Sequence, residues 1–512
     1  MPAKQSILDY LAHHARSSPA RTVVHYRDRE LSFRELEERA ARCRGALAAL
    51  GVAHGDRVAL VMSDSPEMII AMLGVMSHGA IVVPCSTMLK PAELEYMLTD
   101  CSAKLVIATP EHADNARAAK APRVLVAPDE FNPLLDKAQP APPGKFDRDT
   151  PCLILYTSGS TGSPKGAVHL HDHFSETIER VARQVYALRP DDRLFSSSRL
   201  FFAYGLGNSF SFPIGMGSQV VLCSERPTPQ VIADIFKRYR PSIFFAVPAV
   251  YRGLIEYARQ GNKLETAALR FCVCAGEVLP VATWHEWKEL AGAPILEGLG
   301  TTELLHCFIH NFPDRYRPGS SGLPLDGYDV HLVDEHGSVV QGAAHGRLQV
   351  KGRSAIPYYL NKPDKTAELI RDGWVTTGDV YRRDEDGFYW FEGRSDDLFK
   401  CSGMWVSPGE VEEAVIAHPA VLEAAVVAET DDKGATIAAA YVALRPGNKA
   451  GDALANEIKE HAAKQAGSAG FLASAEVEPR GACRGFNLCA RRKLTCHNGI
   501  PGNGPNIAAV FA

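Results

Sequence analysis

Thr157-Ser-Gly-Ser-Thr-Gly-Ser-Pro-Lys-Gly166 is the stretch on which the fold is decided. It follows Cys152-Leu-Ile-Leu-Tyr156, a short apolar run of the kind that forms a buried strand. Glycines at 159, 162 and 166 let the backbone approach a phosphate and turn its N–H groups inward. The hydroxyls of Thr157, Ser158, Ser160 and Thr161 add donors, and Lys165 adds a positive charge. No Gly-Lys-Ser/Thr follows the first glycine at P-loop spacing, so the stretch is a different phosphate loop. The plainer alternative is a Ser/Gly-rich surface turn. A strand that leads into hydroxyl-rich glycines and then Pro-Lys-Gly favours the phosphate.

Working outward, strand-like and helix-like stretches alternate from about residue 30 to 250. Arg57–Met62, Ala80–Val83 and Lys104–Ala108 read as strands; Phe33–Leu50 has helical periodicity, with Ser32 as its N-cap. This alternation predicts parallel sheets covered by helices. Met68–Pro84 is the most apolar stretch, but Ser77, His78 and Gly79 interrupt it below membrane-spanning length, so it reads as a buried helix and then a buried strand. Ala138–Phe146 has linker composition. From about residue 318, short strands come with turn signals at Asp334–Gly337 and Asp384–Gly387, which predicts a smaller β-rich subdomain. Beyond Gly393 another α/β pattern follows: helix Pro408–His418, strands Ala424–Ala428 and Ala438–Leu444, helix Asp452–Lys464.

Composition bounds the function. The 512 residues are 46% hydrophobic, which is too much chain for one core. Net charge is −5 and the pI near 6.4, without the basic balance of a nucleic-acid partner. The N-terminus has no apolar run ending in a cleavage site, and twelve cysteines without a paired C-x-x-C make no disulfide scaffold. Cys272 and Cys274 read as core thiols. The expectation is a cytoplasmic protein with reduced cysteines and no membrane or nucleic-acid partner, as a monomer or homodimer.

Four more motifs follow in order: Gly298-Leu-Gly-Thr-Thr-Glu303, Thr377-Gly-Asp379, Gly393-Arg-Ser-Asp-Asp397 and Val406-Ser-Pro-Gly-Glu-Val-Glu412. With the loop they resemble the adenylate-forming superfamily of acyl- and aryl-CoA ligases, peptide adenylation domains and luciferase. The resemblance implies a large N-terminal domain of parallel sheets flanked by helices with a β-rich subdomain, 1–395, and a small mobile α+β domain, 396–467. It implies ATP, Mg²⁺ and coenzyme A. Lys165, Thr302 and Glu303 are then the catalytic set, with Glu303 the Mg²⁺ ligand; its alternative is a helix N-terminal acid. The nucleotide set adds Thr157, Ser158, Gly159, Ser160, Thr161, Gly162, Ala275, Gly276, Glu277, Gly298, Thr301, Asp379 on the ribose, and Arg394. Asp379 has a strand-end turn as its alternative, and Arg394 an interdomain salt bridge. Asp396 falls at the family's hinge. Gly403 falls beside its pantetheine tunnel, where it also reads as a plain turn glycine.

Leu200–Asn208, Ser224–Pro229 and Gly298–Phe308 resemble benzoate-CoA ligases in particular. Phe202, Ala203, Tyr204, Gly300 and His306 would line a flat acyl pocket, with aromatic walls suited to a ring. The alternatives are an aromatic core cluster and a core histidine. The implied reaction makes an aryl-CoA thioester from benzoate or a substituted benzoate through an acyl-adenylate, releasing pyrophosphate and AMP. Two rivals stand beside it: a fatty- or arylalkanoyl-CoA ligase of the same superfamily, and a nucleotide- and aromatic-acid-binding protein without turnover.

The chain departs from the family at its end. The family's Pro-Lys-x-x-x-Gly-Lys, whose last lysine acts in adenylation, is absent, and the resemblance is read to stop near Gly467. Residues 468–512 show neither helical nor strand periodicity and have the length of the missing ending translated out of frame. No catalytic lysine is assigned there; Lys493 lacks the preceding glycine. Cys483, Cys489, Cys496 and His497 lack the paired spacing of a metal site.

Overall fold

The computed structural model describes residues 6–157, 163–395, 399–401, 404–430, 436–445, 447–464 and 472–478. They form two compact units. The first comprises residues up to Val330 together with Val350–Val375; the second comprises His331–Gln349 and the chain from Thr376.

Local chemistry sets the elements of the first unit where the sequence places them. Ser32 caps the helix Phe33–Ala49 through a reciprocal box: its hydroxyl accepts from Glu35 N, and Glu35 accepts from Ser32 N at 2.7 Å. The helix Pro66–His78 starts at the Ser65 cap and stops at Gly79, whose φ of 86° suits a residue without a Cβ. It is buried almost all round, which explains why it is apolar on every face. The stretch Ala138–Phe146 has no regular structure, as its composition predicts. It is nevertheless pinned: Arg44 donates to Ala141 O at 2.8 Å, and Phe146 stacks on His171 at 4.3 Å.

Two sheets carry this unit. One runs Val124–Val126, Ala103–Ala108, Arg57–Val61, Ile81–Pro84, Pro151–Thr157, Lys165–Leu170; it is parallel except for the last pair. The other has nine strands. Its centre is parallel, in the order Ile295–Gly300, Phe271–Cys274, Ile243–Ala246, Arg193–Ser196, Gln219–Val221, Thr22–Tyr26. Helices Pro229–Tyr239, Pro248–Arg259 and Val281–Ala291 bury Phe236, Tyr251 and Trp287 against it. The expected parallel sheets flanked by helices are therefore present.

In the second unit, Asp379–Arg383 of the strand Trp374–Arg383 pairs antiparallel with Tyr389–Arg394. The turn between them is tied by Asp384, whose carboxylate accepts from Phe388 N at 2.9 Å. Asp334 plays the same part before Val339–Val340. A three-stranded sheet, Val421–Thr430, Thr436–Leu444 and Leu472–Glu478, packs with helices Pro408–Ile416 and Asp452–Ala463. The last strand corrects the sequence reading, which saw no strand beyond Gly467. Ala473, Ala475 and Val477 do alternate with polar residues, but alanine is too weak an apolar signal for period two to stand out. Parallel pairing with Thr436–Leu444 supplies what the side chains do not announce.

Candidate functional site

In open α/β sheets ligands bind beyond the carboxyl ends of parallel strands. Three predicted segments lie at such ends in the nine-stranded sheet, two on adjacent strands and the third beyond Ile243–Ala246. Phe202–Tyr204 follows Arg193–Ser196, Ala275–Glu277 follows Phe271–Cys274, and Thr301–Glu303 follows Ile295–Gly300. The phosphate loop leaves the carboxyl end of Pro151–Thr157 and returns as Lys165–Leu170, with Thr157 opposite Lys165. Ser158, Gly159, Ser160, Thr161 and Gly162 lie outside the described residues, as do Asp396 and Gly403.

Lys165 and Glu303 are brought together through a residue that the sequence reading did not single out. Tyr359 is buried; its hydroxyl donates to Glu303 Oε1, and its ring lies under the Lys165 ammonium, 4.8 Å from Nζ to the ring centre. Burial, and then the Glu303 charge, push this phenol well above its ordinary range, so it stays a donor. Glu303 itself sits in a one-turn 3-10 segment, Thr302–Leu304. Ile356 N donates to its carbonyl at 2.9 Å, and His169 Nε2 lies 2.9 Å from the Thr302 carbonyl. Burial holds His169 neutral. Since the carbonyl only accepts, Nε2 carries the proton.

A hard cation fits this place. Among the described residues Thr301 Oγ1 is shielded and unpartnered, the half-buried Glu303 carboxylate follows two positions on, and both offer oxygen to a cation. Among the described residues no three His, Cys, Asp or Glu side chains gather into a metal cage. Mg²⁺ held by one carboxylate together with substrate phosphates would need no such cage.

Gly298 and Gly300 have a packing reason beside any ligand. A Cβ on Gly298 would lie 2.4 Å from His310 Cδ2, and one on Gly300 would lie 2.7 Å from the His306 backbone. Gly276 has a φ of 93°, which directs the chain after Ala275.

The aromatic segment divides. Phe201 is core at 6% exposure, while Phe202 and Tyr204 are half-buried. The Tyr204 hydroxyl donates to Val273 O at 3.1 Å, which fixes its ring 5.7 Å from that of His306. His306 is 3% exposed and wedged against Phe212 and Gly207. Burial lowers its pKa to about 3, so it is neutral. Beneath the segment, buried Asp64 accepts from Leu200 N at 3.1 Å and faces Arg199; burial raises its pKa to about 6.

In the second unit Asp379 and Arg394 are register partners on adjacent strands, with Arg394 donating to Asp379 at 3.1 Å. Gly378, just before Asp379, has a φ of 78°, and a Cβ there would press on the Arg394 guanidinium at 3.1 Å. Ser407 caps the helix Pro408–Ile416, so part of Val406–Glu412 is helix-start chemistry.

Comparison with known proteins agrees with this layout. The AMP-binding enzyme profile matches residues 11–360, and the AMP-binding enzyme C-terminal domain profile matches 410–478, past Gly467. The chain is 38% identical over 448 residues to a benzoate–CoA ligase of Thauera aromatica, covering 84% of each. It is 36% identical to a 4-hydroxybenzoate–CoA/benzoate–CoA ligase of Rhodopseudomonas palustris, covering 85% of this chain and 83% of that one. Among solved structures, an anthranilate CoA ligase in complex with anthranoyl-AMP superposes with a TM-score of 0.90 at 34% identity, covering 96% of this chain and 97% of that one. A benzoate CoA ligase from Burkholderia xenovorans LB400 superposes at 0.88 and 33%, covering 96% and 99%. With the loop, the acid turn and both profiles in one order along the chain, this protein belongs to the AMP-binding enzyme family.

Proposed function

We propose that this chain joins an aromatic carboxylic acid, benzoate or a ring-substituted benzoate, to coenzyme A through an acyl-adenylate. The observation that carries the reading is the half-buried Phe202–Tyr204 segment on the strand ends that also present Thr301, Thr302 and Glu303. A flat aromatic wall beside an anion- and cation-handling turn suits an aryl carboxylate next to ATP. The similarity to benzoate-CoA ligases supports the same substrate class.

In the first half-reaction a carboxylate oxygen attacks the α-phosphorus. The bond from that phosphorus to the bridging oxygen breaks, and pyrophosphate leaves. Lys165 and the loop N–H groups take up its charge, and Thr301 and Thr302 hold phosphate oxygens. Mg²⁺, when bound at Glu303, supplies further charge neutralisation. In the second half-reaction the coenzyme A thiol gives up its proton to water and its sulfur attacks the acyl carbonyl. The acyl–oxygen bond to phosphate breaks, and AMP leaves. The protein's part is positioning and charge neutralisation. Asp379 would accept from the ribose hydroxyls and Arg394 would serve the phosphate side. The same reading makes 396–467 a small mobile domain turning at Asp396, with Gly403 clearing the thiol's path.

The test is a panel of acids assayed for AMP release with ATP and coenzyme A. Benzoate and its ring-substituted analogues should lead, with octanoate and phenylacetate far behind; a preference for octanoate would overturn the substrate assignment. Substituting Tyr204 with Ala should also reorder the substituted benzoates by about 1–2 kcal/mol, the scale of one pocket contact. His306→Ala should do the same on top of a stability loss of about 2–5 kcal/mol from the cavity it leaves. An unchanged order with only lower stability would return both residues to the core.

A further inference from the structure

Tyr359 sits at a crossing of three segments. Its own stretch is bonded to the strand that starts at Lys165: Leu360 N donates to Gly166 O at 2.8 Å, and Ala167 bridges Tyr359. The same stretch is bonded to the acid turn, through Ile356 N to Glu303 O and Ser354 Oγ to Leu304 O, both at 2.9 Å. Thr366 Oγ1 accepts from Tyr359 N at 2.9 Å and fixes the residue itself. The phenol is thus held by backbone on both sides and 3% exposed.

Its two polar contacts are with opposite charges. The hydroxyl engages one oxygen of Glu303, and the ring face carries the Lys165 ammonium. Among the described residues Lys165 and Glu303 form no ion pair with each other. A direct pair would occupy the carboxylate and the ammonium together and would have to be broken to admit a triphosphate and its metal. An aromatic face holds a cation without using its N–H groups. A single hydroxyl orients a carboxylate and leaves its second oxygen open.

We propose that Tyr359 is a positioning residue that fixes the Glu303 carboxylate with its hydroxyl and keeps Lys165 off that carboxylate with its ring. The proposal rests on the reading of Glu303 as cation ligand and Lys165 as phosphate ligand. Ring and hydroxyl are separable: Tyr359→Phe removes only the hydroxyl, and Tyr359→Leu removes both.

The test is equilibrium binding to the full chain, without turnover. Mn²⁺ bound in the presence of α,β-methylene-ATP is measured by electron paramagnetic resonance, and metal-free analogue binding by calorimetry. Tyr359→Phe should weaken Mn²⁺ by roughly 10–100-fold, the usual effect of losing a ligand's orienting partner, and Glu303→Gln, which removes the charged ligand itself, by at least as much. Tyr359→Phe should keep metal-free analogue affinity and the parent melting temperature. Tyr359→Leu should lose analogue affinity as Lys165 falls onto Glu303, and adding Glu303→Gln should restore it. If Glu303→Gln weakens Mn²⁺ and Tyr359→Phe does not, the role of Tyr359 is overturned and the site reading stands. If Glu303→Gln leaves Mn²⁺ unchanged, the cation assignment falls and the proposal with it.

Discussion

Acidification from pH 7.5 to 5 should strongly destabilise the first unit. His171, His173, His306 and His310 are each at most 3% exposed, and burial lowers their pKa values to about 4, 3, 3 and 4. A base with a depressed folded pKa contributes stability that is present above its unfolded value, near 6.5, and is lost as pH falls below it. Each group removes about 1.4 kcal/mol per pH unit in that window, so four remove about 8 kcal/mol by pH 5. That is on the scale of a domain's whole stability, about 5–15 kcal/mol. Asp64 acts in the opposite sense. Its raised pKa gives a contribution that is present below the ordinary Asp value and lost as pH rises through about 6. One such group does not offset four. Urea midpoints followed by tryptophan fluorescence should fall steeply between pH 7 and 5; a flat profile there would show that these imidazoles find water or partners when charged.

The two half-reactions should come apart. The chain as written lacks the family's Pro-Lys-x-x-x-Gly-Lys ending, whose last lysine acts in adenylation only, and residues 479–512 lie outside the described structure. Losing one charged transition-state contact costs about 10²–10³ in rate. Benzoyl-adenylate should therefore form from benzoate and ATP about that much more slowly than with an in-frame ending restored. Supplied benzoyl-adenylate and coenzyme A should give thioester at similar rates in both proteins, because a contact made in one pose is not required in the other. Single-turnover kinetics of each step on the two chains decides it. Fast adenylation by the chain as written would mean that Lys493 or another group fills the role.

Much of this site was legible because its chemistry is local. The loop, the acid turn and the helix start at Ser407 each write their residue types within a few positions, and the strands around them follow from apolar runs. The parts that stayed hidden are made by distance. Tyr359 reaches Glu303 across 56 residues, and Asp64 reaches Leu200 N across 136; no periodicity marks either pair. Local signals also mislead where two causes write the same letter. Gly298 reads as part of the nucleotide site and Gly300 as part of the acyl pocket, yet the strand Cys307–His310 and the residue before it lie close enough to forbid a side chain at both. Phe201 and Phe202 are adjacent and chemically alike, but only one is core, a distinction set by which way the backbone turns before the helix Ala203–Leu206.

The buried cysteines of this fold carry a consequence for redox chemistry. A protein that handles coenzyme A also meets its disulfide, and a mixed disulfide forms only by attack of a protein thiolate. Eight of the nine described cysteines are buried. Burial pushes Cys43 and Cys307 up to about 12 and Cys101 to about 11, while Cys272 and Cys274 rise further still. None of these has thiolate to offer at neutral pH. Among the described residues only half-buried Cys223 is within reach of solvent, and its thiol is also raised and points to the Glu225 carbonyl. Among the described residues, burial therefore keeps these thiols out of exchange beside a reactive thiol substrate.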